Sequence, residues 1–97
     1  MTVYRLTEKA AADFESIFTF SIDAFGTAQA IKYANGLKQR FDEIAGQPAR
    51  YPEVSHIAEG YRRSVYGAHA IYYRVETGGV VIVRILSQQT TEGALPV

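Results

Sequence analysis

The sequence predicts one α+β domain in the order β-α-α-β-β-β, in which an antiparallel helix hairpin packs on one face of a C-terminal antiparallel meander sheet. Three observations predict this fold. The length of 97 residues leaves room for a single domain, so residues 1–97 are expected to form one. Apolar residues recur at helical spacing before Gly46, and β-branched and aromatic runs separated by glycines follow Gly60.

The first elements are a short strand and a long helix. Residues 2–7 alternate as a half-buried strand does, and Thr7 is placed to be the N-cap of a helix whose first turn contains Glu8. Apolar residues then recur every three or four positions as far as Phe25, and Gly26 is the predicted stop.

A second helix is predicted from Thr27, its expected N-cap, to Gly46. Because so few residues separate the two helices, they must run antiparallel as a hairpin. The phenylalanines of the helices exceed what a hairpin can bury between its own members, so another layer has to cover them. These residues are Phe14, Phe18, Phe20, Phe25 and Phe41.

The covering layer follows a loop. Residues 47–59 contain two prolines and no clear period, which predicts a loop with one turn of helix. Three strands joined by short turns must form an antiparallel meander, and they are predicted at residues 61–66, 69–76 and 80–86. The last strand is apolar on both faces apart from Arg84, which favours a central position. The polar tail from about residue 88 is expected to fray.

Composition excludes several classes of protein. The absence of cysteine removes disulfides, a thiolate nucleophile and iron–sulfur ligation. Ten basic residues balance ten acidic ones, whereas proteins that bind bulk nucleic acid usually carry a basic excess. No apolar run is long enough to cross a membrane and no signal-peptide pattern is present, so a soluble cytoplasmic protein is expected. His56 and His69 are too few for a metal site, and no cofactor is expected.

Charge is nevertheless segregated along the chain. Between Gly60 and Leu86 four arginines accompany a single acid, Glu76, so the open face of the sheet is the best candidate for an anionic partner. Neighbouring strand residues point to opposite faces, so only one of two adjacent arginines can lie there. The alternative is that the arginines are solvated or pair with helix carboxylates such as Asp13 or Glu15. The candidate residues are Arg62, Arg63, Arg74 and Arg84.

The sequence contains no motif for catalysis. It has no nucleophile elbow, no glycine-rich phosphate loop and no carboxylate pair set for acid–base chemistry. His69 follows Gly67 in a tight turn and is expected to make a structural hydrogen bond there. Strand tyrosines such as Tyr72 are expected to pack against neighbours with the hydroxyl in water. We therefore expect no catalytic residue and no enzyme.

Five segments in chain order form a combined pattern. They are Tyr4-Arg5-Leu6-Thr7, Ala11-x-Asp13-Phe14-x-x-Ile17, Gly60-Tyr61-Arg62-Arg63, Gly67-x-His69-x-Ile71-x-Tyr73-Arg74-Val75 and Val83-Arg84-Ile85-Leu86. Together they resemble the ParE toxins of the RelE/ParE superfamily over nearly the whole chain. The resemblance implies the toxin of a type II toxin–antitoxin system that inhibits DNA gyrase and blocks replication. It also implies a ParD-like ribbon-helix-helix antitoxin that binds the toxin directly. The toxin is expected to contact DNA only indirectly, through this antitoxin.

Members of the RelE branch share the fold and cut messenger RNA on the ribosome, so the fold does not choose between the two activities. The balanced charge disfavours binding to ribosomal RNA. Where many superfamily members carry histidine, this chain has Ser87, followed by Gln88, and neither titrates near neutral pH. We predict that both join the arginines in contacting the target. Two alternatives stay open: an attenuated toxin acting mainly in the autorepressor complex, and a ribosome-dependent endoribonuclease in which Arg62 or Arg63 and Arg84 stabilise phosphate charge.

The surplus aromatic surface of the helix hairpin is the predicted contact for the antitoxin. A contiguous apolar patch usually marks a protein interface, and an amphipathic helix lying in such a groove is a common recognition mode. The alternative, that the aromatic residues belong to the core, is preferred for Phe14, Phe18 and Phe41. The predicted antitoxin contacts are Phe20, Phe25, Tyr33 and Leu37.

Overall fold

The computed structural model describes residues 3–87, so the predicted frayed tail from residue 88 lies outside the described residues. The predicted order of elements is confirmed, with a single 3₁₀ turn in the loop. The elements are β1 Tyr4–Leu6, α1 Glu8–Phe25, α2 Thr27–Gly46, the 3₁₀ turn Pro48–Arg50, β2 Arg62–Tyr66, β3 His69–Glu76 and β4 Gly79–Ser87.

The four strands form one sheet in the order β1-β4-β3-β2. The strands β2, β3 and β4 are the predicted antiparallel meander, and β1 pairs in parallel with β4, with Tyr4 opposite Val80. The prediction that the last strand is central is therefore confirmed. The register between β3 and β4 shifts at Tyr72 and Tyr73, which face Arg84 and Ile82, so that Val83 is an extra residue on β4.

The start of α1 is capped as predicted, and the start of α2 is not. The Thr7 hydroxyl oxygen accepts a hydrogen bond from the Ala10 backbone N–H at 3.0 Å. The predicted N-cap role of Thr27 is wrong: Gly26 is the N-cap of α2, and no side chain caps this helix. With φ at 90°, Gly26 both ends α1 and turns the chain within one residue, so Thr27 already lies inside α2.

One face of the sheet carries the helix hairpin, as expected. The residues α2 directs at the sheet include Leu37, Phe41 and Ile44, all at most 1% exposed. They pack on strand residues of β3 and β4 such as Ile71 and Ile82. Phe14 of α1 packs against Phe41 with ring centres 6.2 Å apart, as the core alternative predicted. Burial of these large side chains is the main force holding the hairpin to the sheet.

The other face of the sheet was expected to be open, and over its centre this expectation is wrong. Residues 51–61 fold back across it, and Val54, Ala58 and Tyr61 of this segment are buried against β3 and β4. The Val54 backbone N–H donates to the Tyr61 carbonyl oxygen at 2.8 Å, which closes the segment on itself. The apolar residues of this loop have neither helical nor strand spacing, so the sequence pattern did not reveal a covering layer.

Neither helix in residues 3–87 combines the length and the apolar character needed to cross a lipid bilayer.

Candidate functional site

Arg84 lies in an ion pair between β4 and α1. Its Nε donates to Oδ2 of Asp13 at 2.7 Å, and its second terminal nitrogen donates to Oδ1 at 3.0 Å. The side chains of Arg84 and Asp13 are only 19% and 16% exposed. Hydrogen bonding to the carboxylate raises the pKa of Arg84. For Arg84, the alternative prediction of an ion pair with the helix carboxylate Asp13 is therefore confirmed.

Two more of the predicted arginines hold local structure together. Arg62 donates to the Tyr51 carbonyl oxygen at 2.6 Å and to the carboxylate of Glu53 at 3.2 Å, which ties the loop to the edge of β2. Arg74 forms an ion pair with Glu76 on the same strand, and this hydrogen bond raises the pKa of Arg74. Both arginines are thus paired with acids rather than displayed as isolated charges.

Arg63 differs from the other three arginines. Its guanidinium makes a long contact of 3.5 Å to the Tyr72 hydroxyl, and within residues 3–87 it has no carboxylate partner. Ser87, at the end of β4, lies opposite His69 in the sheet register. Gln88 lies outside the described residues. The structure therefore does not gather the predicted target contacts into one cationic patch.

A fifth arginine, which the sequence analysis did not single out, is built into the hairpin. Arg40 donates to the Ser64 hydroxyl at 2.9 Å and to the Val65 carbonyl oxygen at 2.8 Å. Its guanidinium lies 5.3 Å from the ring centre of Tyr66, at cation–π distance. Spacing was the available signal, since Arg40 falls three residues after the buried Leu37 on the inward stripe of α2.

The predicted antitoxin contacts fall into two groups. Phe20 and Phe25 are 66% and 68% exposed, and together with Tyr33 they line a groove of about 450 Å³. We call it the hairpin groove; its lining is Phe20, Ser21, Phe25, Gln29, Tyr33, Ala68 and His69. Leu37 is fully buried in the core, so its placement on the partner surface is corrected. Leu37 lies one helical turn after Tyr33 on the same face of α2. Spacing alone did not show that this face is buried at Leu37 and partly exposed at Tyr33.

His69 closes one wall of the hairpin groove and makes the structural hydrogen bond predicted for it. Its Nδ1 lies 2.8 Å from the Tyr33 hydroxyl oxygen. The same hydroxyl donates to the Tyr66 carbonyl oxygen at 3.1 Å. Burial lowers the pKa of His69 and raises the pKa of Tyr33, so both groups are held in their neutral forms. The left-handed Gly67, with φ at 57°, makes the tight turn that brings His69 beside Tyr66.

Nothing in residues 3–87 has the composition of a metal centre, because no group of three or more histidine, aspartate or glutamate side chains lies close enough together.

The strand, helix hairpin and three-stranded meander define a small α+β protein with a RelE/ParE-like fold. Residues 4–91 match the family model described as the ParE toxin of the type II toxin–antitoxin system parDE. The chain therefore belongs to the ParE toxin family of type II toxin–antitoxin systems.

Similar proteins agree with this assignment. The chain is 38% identical over 88 residues to Toxin ParE1 of Caulobacter vibrioides, an alignment that covers 91% of each chain. It is 33% identical over 87 residues to Toxin ParE1 of Mycobacterium tuberculosis, with 89% of each chain covered. A solved chain of the chromosomal ParDE TA system from P. aeruginosa superposes with a TM-score of 0.75. That match has 23% identity and covers 90% of this chain and 96% of the other, which shows the shared fold.

Proposed function

We propose that this ParE-family toxin acts in the cytoplasm by binding DNA gyrase and blocking replication, with no catalytic chemistry of its own. Because the chain belongs to the ParE family, one observation in its structure supports this proposal. Arg84, one of the arginines predicted to stabilise phosphate charge in a nuclease, is bound at two points by Asp13. An arginine already bound to a carboxylate is a poor electrostatic catalyst, because its charge is neutralised before a substrate arrives.

The groups that would transfer protons in a nuclease are also engaged. His69 is bonded to Tyr33, and burial lowers its pKa, which favours the neutral imidazole over the acid that protonates a leaving group. Ser87 does not titrate in the useful range. These observations favour gyrase inhibition over the ribosome-dependent cleavage of messenger RNA that the RelE branch suggests.

Arg63 is the proposed contact to the target. Of the four arginines predicted for that role, it alone has no carboxylate partner within residues 3–87. A guanidinium without a carboxylate partner can make a charge-assisted hydrogen bond to a carboxylate or phosphate of the target.

The proposed antitoxin is ParD-like, with a ribbon-helix-helix domain that contacts DNA on behalf of both proteins. Phe20 and Phe25 expose about two thirds of their surfaces on the hairpin groove. An amphipathic segment of the antitoxin that fills this groove would remove their apolar surface from water. Binding there would neutralise the toxin by covering the hairpin.

The test is a DNA gyrase supercoiling assay with the purified chain, run in parallel with a translating extract in which messenger RNA is followed. We expect supercoiling to stop, cleaved DNA to accumulate and messenger RNA to stay intact, with Arg63→Ala about tenfold weaker as an inhibitor. Arg50→Ala, which removes an exposed arginine of the 3₁₀ turn, is the matched control and should keep full potency.

Three outcomes decide against the proposal. Normal supercoiling at a large molar excess of the chain would overturn it. Cleavage of messenger RNA would favour the RelE-like alternative. Overexpression without growth arrest would favour the attenuated toxin that acts mainly in the autorepressor complex.

A further inference from the structure

The phenol oxygen of Tyr33 meets two polar groups but carries one proton. It lies 3.1 Å from the Tyr66 carbonyl oxygen and 2.8 Å from Nδ1 of His69. A carbonyl oxygen only accepts, so the 3.1 Å contact is a hydrogen bond when the phenol proton points to Tyr66. Both contacts are then hydrogen bonds only if Nδ1 of His69 carries a proton and donates it to the phenol oxygen.

This proton count assigns the Nδ1–H tautomer to neutral His69 and leaves Nε2 as a hydrogen-bond acceptor. Within residues 3–87, Nε2 has no hydrogen-bond partner, and no buried side-chain nitrogen or oxygen is unsatisfied. Nε2 is therefore open to solvent, on a ring that lines the hairpin groove beside Phe20 and Phe25.

No charged side chain lines the hairpin groove, and Arg40 of α2 lies over the ring of Tyr66, the cross-strand partner of His69. The groove lining from α1, from α2 and from the β2–β3 turn is uncharged, and β4 places Ser87 opposite His69. The titratable neighbours are the two phenols of Tyr33 and Tyr66. Burial alone accounts for the lowered pKa of His69. Protonation would leave the Nδ1–H bond in place, convert Nε2 from an acceptor to a donor, and put a charge on an apolar surface.

We propose that the hairpin groove recognises an antitoxin segment by one large apolar side chain between Phe20 and Phe25 and by an N–H donor that bonds to Nε2 of His69, so that protonation of His69 releases the segment. The inference rests on the proposed antitoxin docking at this groove and adds its chemistry and its response to acid. The donor is a lysine, arginine, amide or indole N–H rather than a carboxylate, which a neutral imidazole acceptor would repel.

The test measures the affinity of the full chain for the full-length antitoxin encoded beside its gene, at pH 7.5 and at pH 5.0. Wild type should bind about three- to tenfold more weakly at the lower pH, because only neutral His69 accepts the hydrogen bond. His69→Asn keeps an N–H for Tyr33 and removes Nε2. It should bind about fivefold more weakly at pH 7.5 and lose the dependence on pH. His56→Asn, the other histidine and exposed in the loop, should behave as wild type.

A second measurement does not depend on a variant that folds. Nitrogen NMR of the wild-type histidines should show Nδ1 protonated and Nε2 unprotonated in His69 at pH 7.5. The opposite tautomer would overturn the inference, and so would equal wild-type affinity at both pH values. Those results leave antitoxin docking itself intact, whereas absence of binding at either pH would instead overturn the proposed docking at the groove.

Discussion

Asp13 on α1 binds Arg84 on β4 at two points and also accepts the backbone N–H of Ile85 at 3.0 Å. The strand β1 pairs with β4 only as far as Leu6 and Ile82, so among residues 3–87 no strand continues along that edge of β4. The Thr7 hydroxyl donates to the Val83 carbonyl oxygen at 2.8 Å and continues the pairing. The side chains of Thr7 and Asp13 therefore form hydrogen bonds with backbone groups of β4 that no strand partner reaches. The ion pair between Asp13 and Arg84 helps to hold the helix hairpin on the sheet.

Removing Asp13 should weaken the contact between α1 and β4. In Asp13→Ala, the mostly buried Arg84 keeps its charge and loses the carboxylate of Asp13, and the Ile85 N–H loses the same acceptor. The free energy of unfolding, measured by urea denaturation, should fall by about 3 kcal/mol. The control is Glu15→Ala, an exposed carboxylate on the same helix, which should change it by less than about 0.5 kcal/mol. Equal stability of the two variants would contradict a structural role for the pair.

Gly36 allows Tyr66 to pack against α2. A methyl group added there would lie 1.7 Å from the Tyr66 hydroxyl oxygen, and the ring is held by Tyr33 and Arg40. Gly36→Ala should therefore lower the free energy of unfolding by about 1 to 3 kcal/mol, although alanine is the better helix former. Both variants are compared by thermal denaturation. The control is Gly46→Ala in the same helix, where the added methyl group meets no atom within 4 Å, so this change should be neutral or stabilising. Equal melting temperatures of the two variants would contradict close packing of Tyr66 on Gly36.

The exposed phenylalanines should matter for binding and little for folding. Phe20→Ser and Phe25→Ser should each weaken antitoxin binding about tenfold or more in calorimetry, and leave the melting temperature of the free chain nearly unchanged. We also expect the free toxin to be less soluble than its complex. Leu37→Ala is the converse control, because loss of this fully buried side chain should cost about 2 to 5 kcal/mol of stability. Unchanged antitoxin binding in both phenylalanine variants would move the interface elsewhere.

Tyr73 should make stability depend on alkaline pH. Its hydroxyl donates to the Pro48 carbonyl oxygen, and burial raises its pKa to about 12 from an ordinary value near 10. The folded state therefore retains a proton that the unfolded chain releases as the pH rises from 10 to 12. About 2 kcal/mol of stability, fully present below pH 10, should be lost across that interval. Tyr73→Phe should flatten this slope in denaturation experiments, whereas Tyr51→Phe, a change at a half-buried neighbouring ring, should keep it.

The periodic parts of the fold could be predicted from the sequence because each pattern has one structural solution. The helix between Thr7 and Gly26 is marked by a cap, a stripe and a stop, and the short turns of the meander leave no alternative to antiparallel pairing. The cover formed by residues 51–61 could not be predicted, because its apolar residues follow no period.

The sequence offered Asp13 as a possible partner for the arginines but could not show which arginine it pairs with. The extra residue Val83 shifts the register of β4, and the pairing of Arg84 with Asp13 depends on how α1 crosses the end of that strand. The exposed hairpin groove was predictable from the surplus of phenylalanine. The burial of Leu37 was not, since helical spacing defines a stripe without showing which neighbour covers each of its residues.

We propose that this toxin acts by binding DNA gyrase and performs no chemistry of its own. The most direct measurement is a titration of a fixed concentration of DNA gyrase with the purified chain, with supercoiling followed against the molar ratio of the two proteins. An inhibitor that works by binding should reach full effect only near one chain per binding site on gyrase, and added antitoxin should restore supercoiling. Inactivation of many gyrase molecules by each chain, persisting after antitoxin is added, would show turnover and contradict the account.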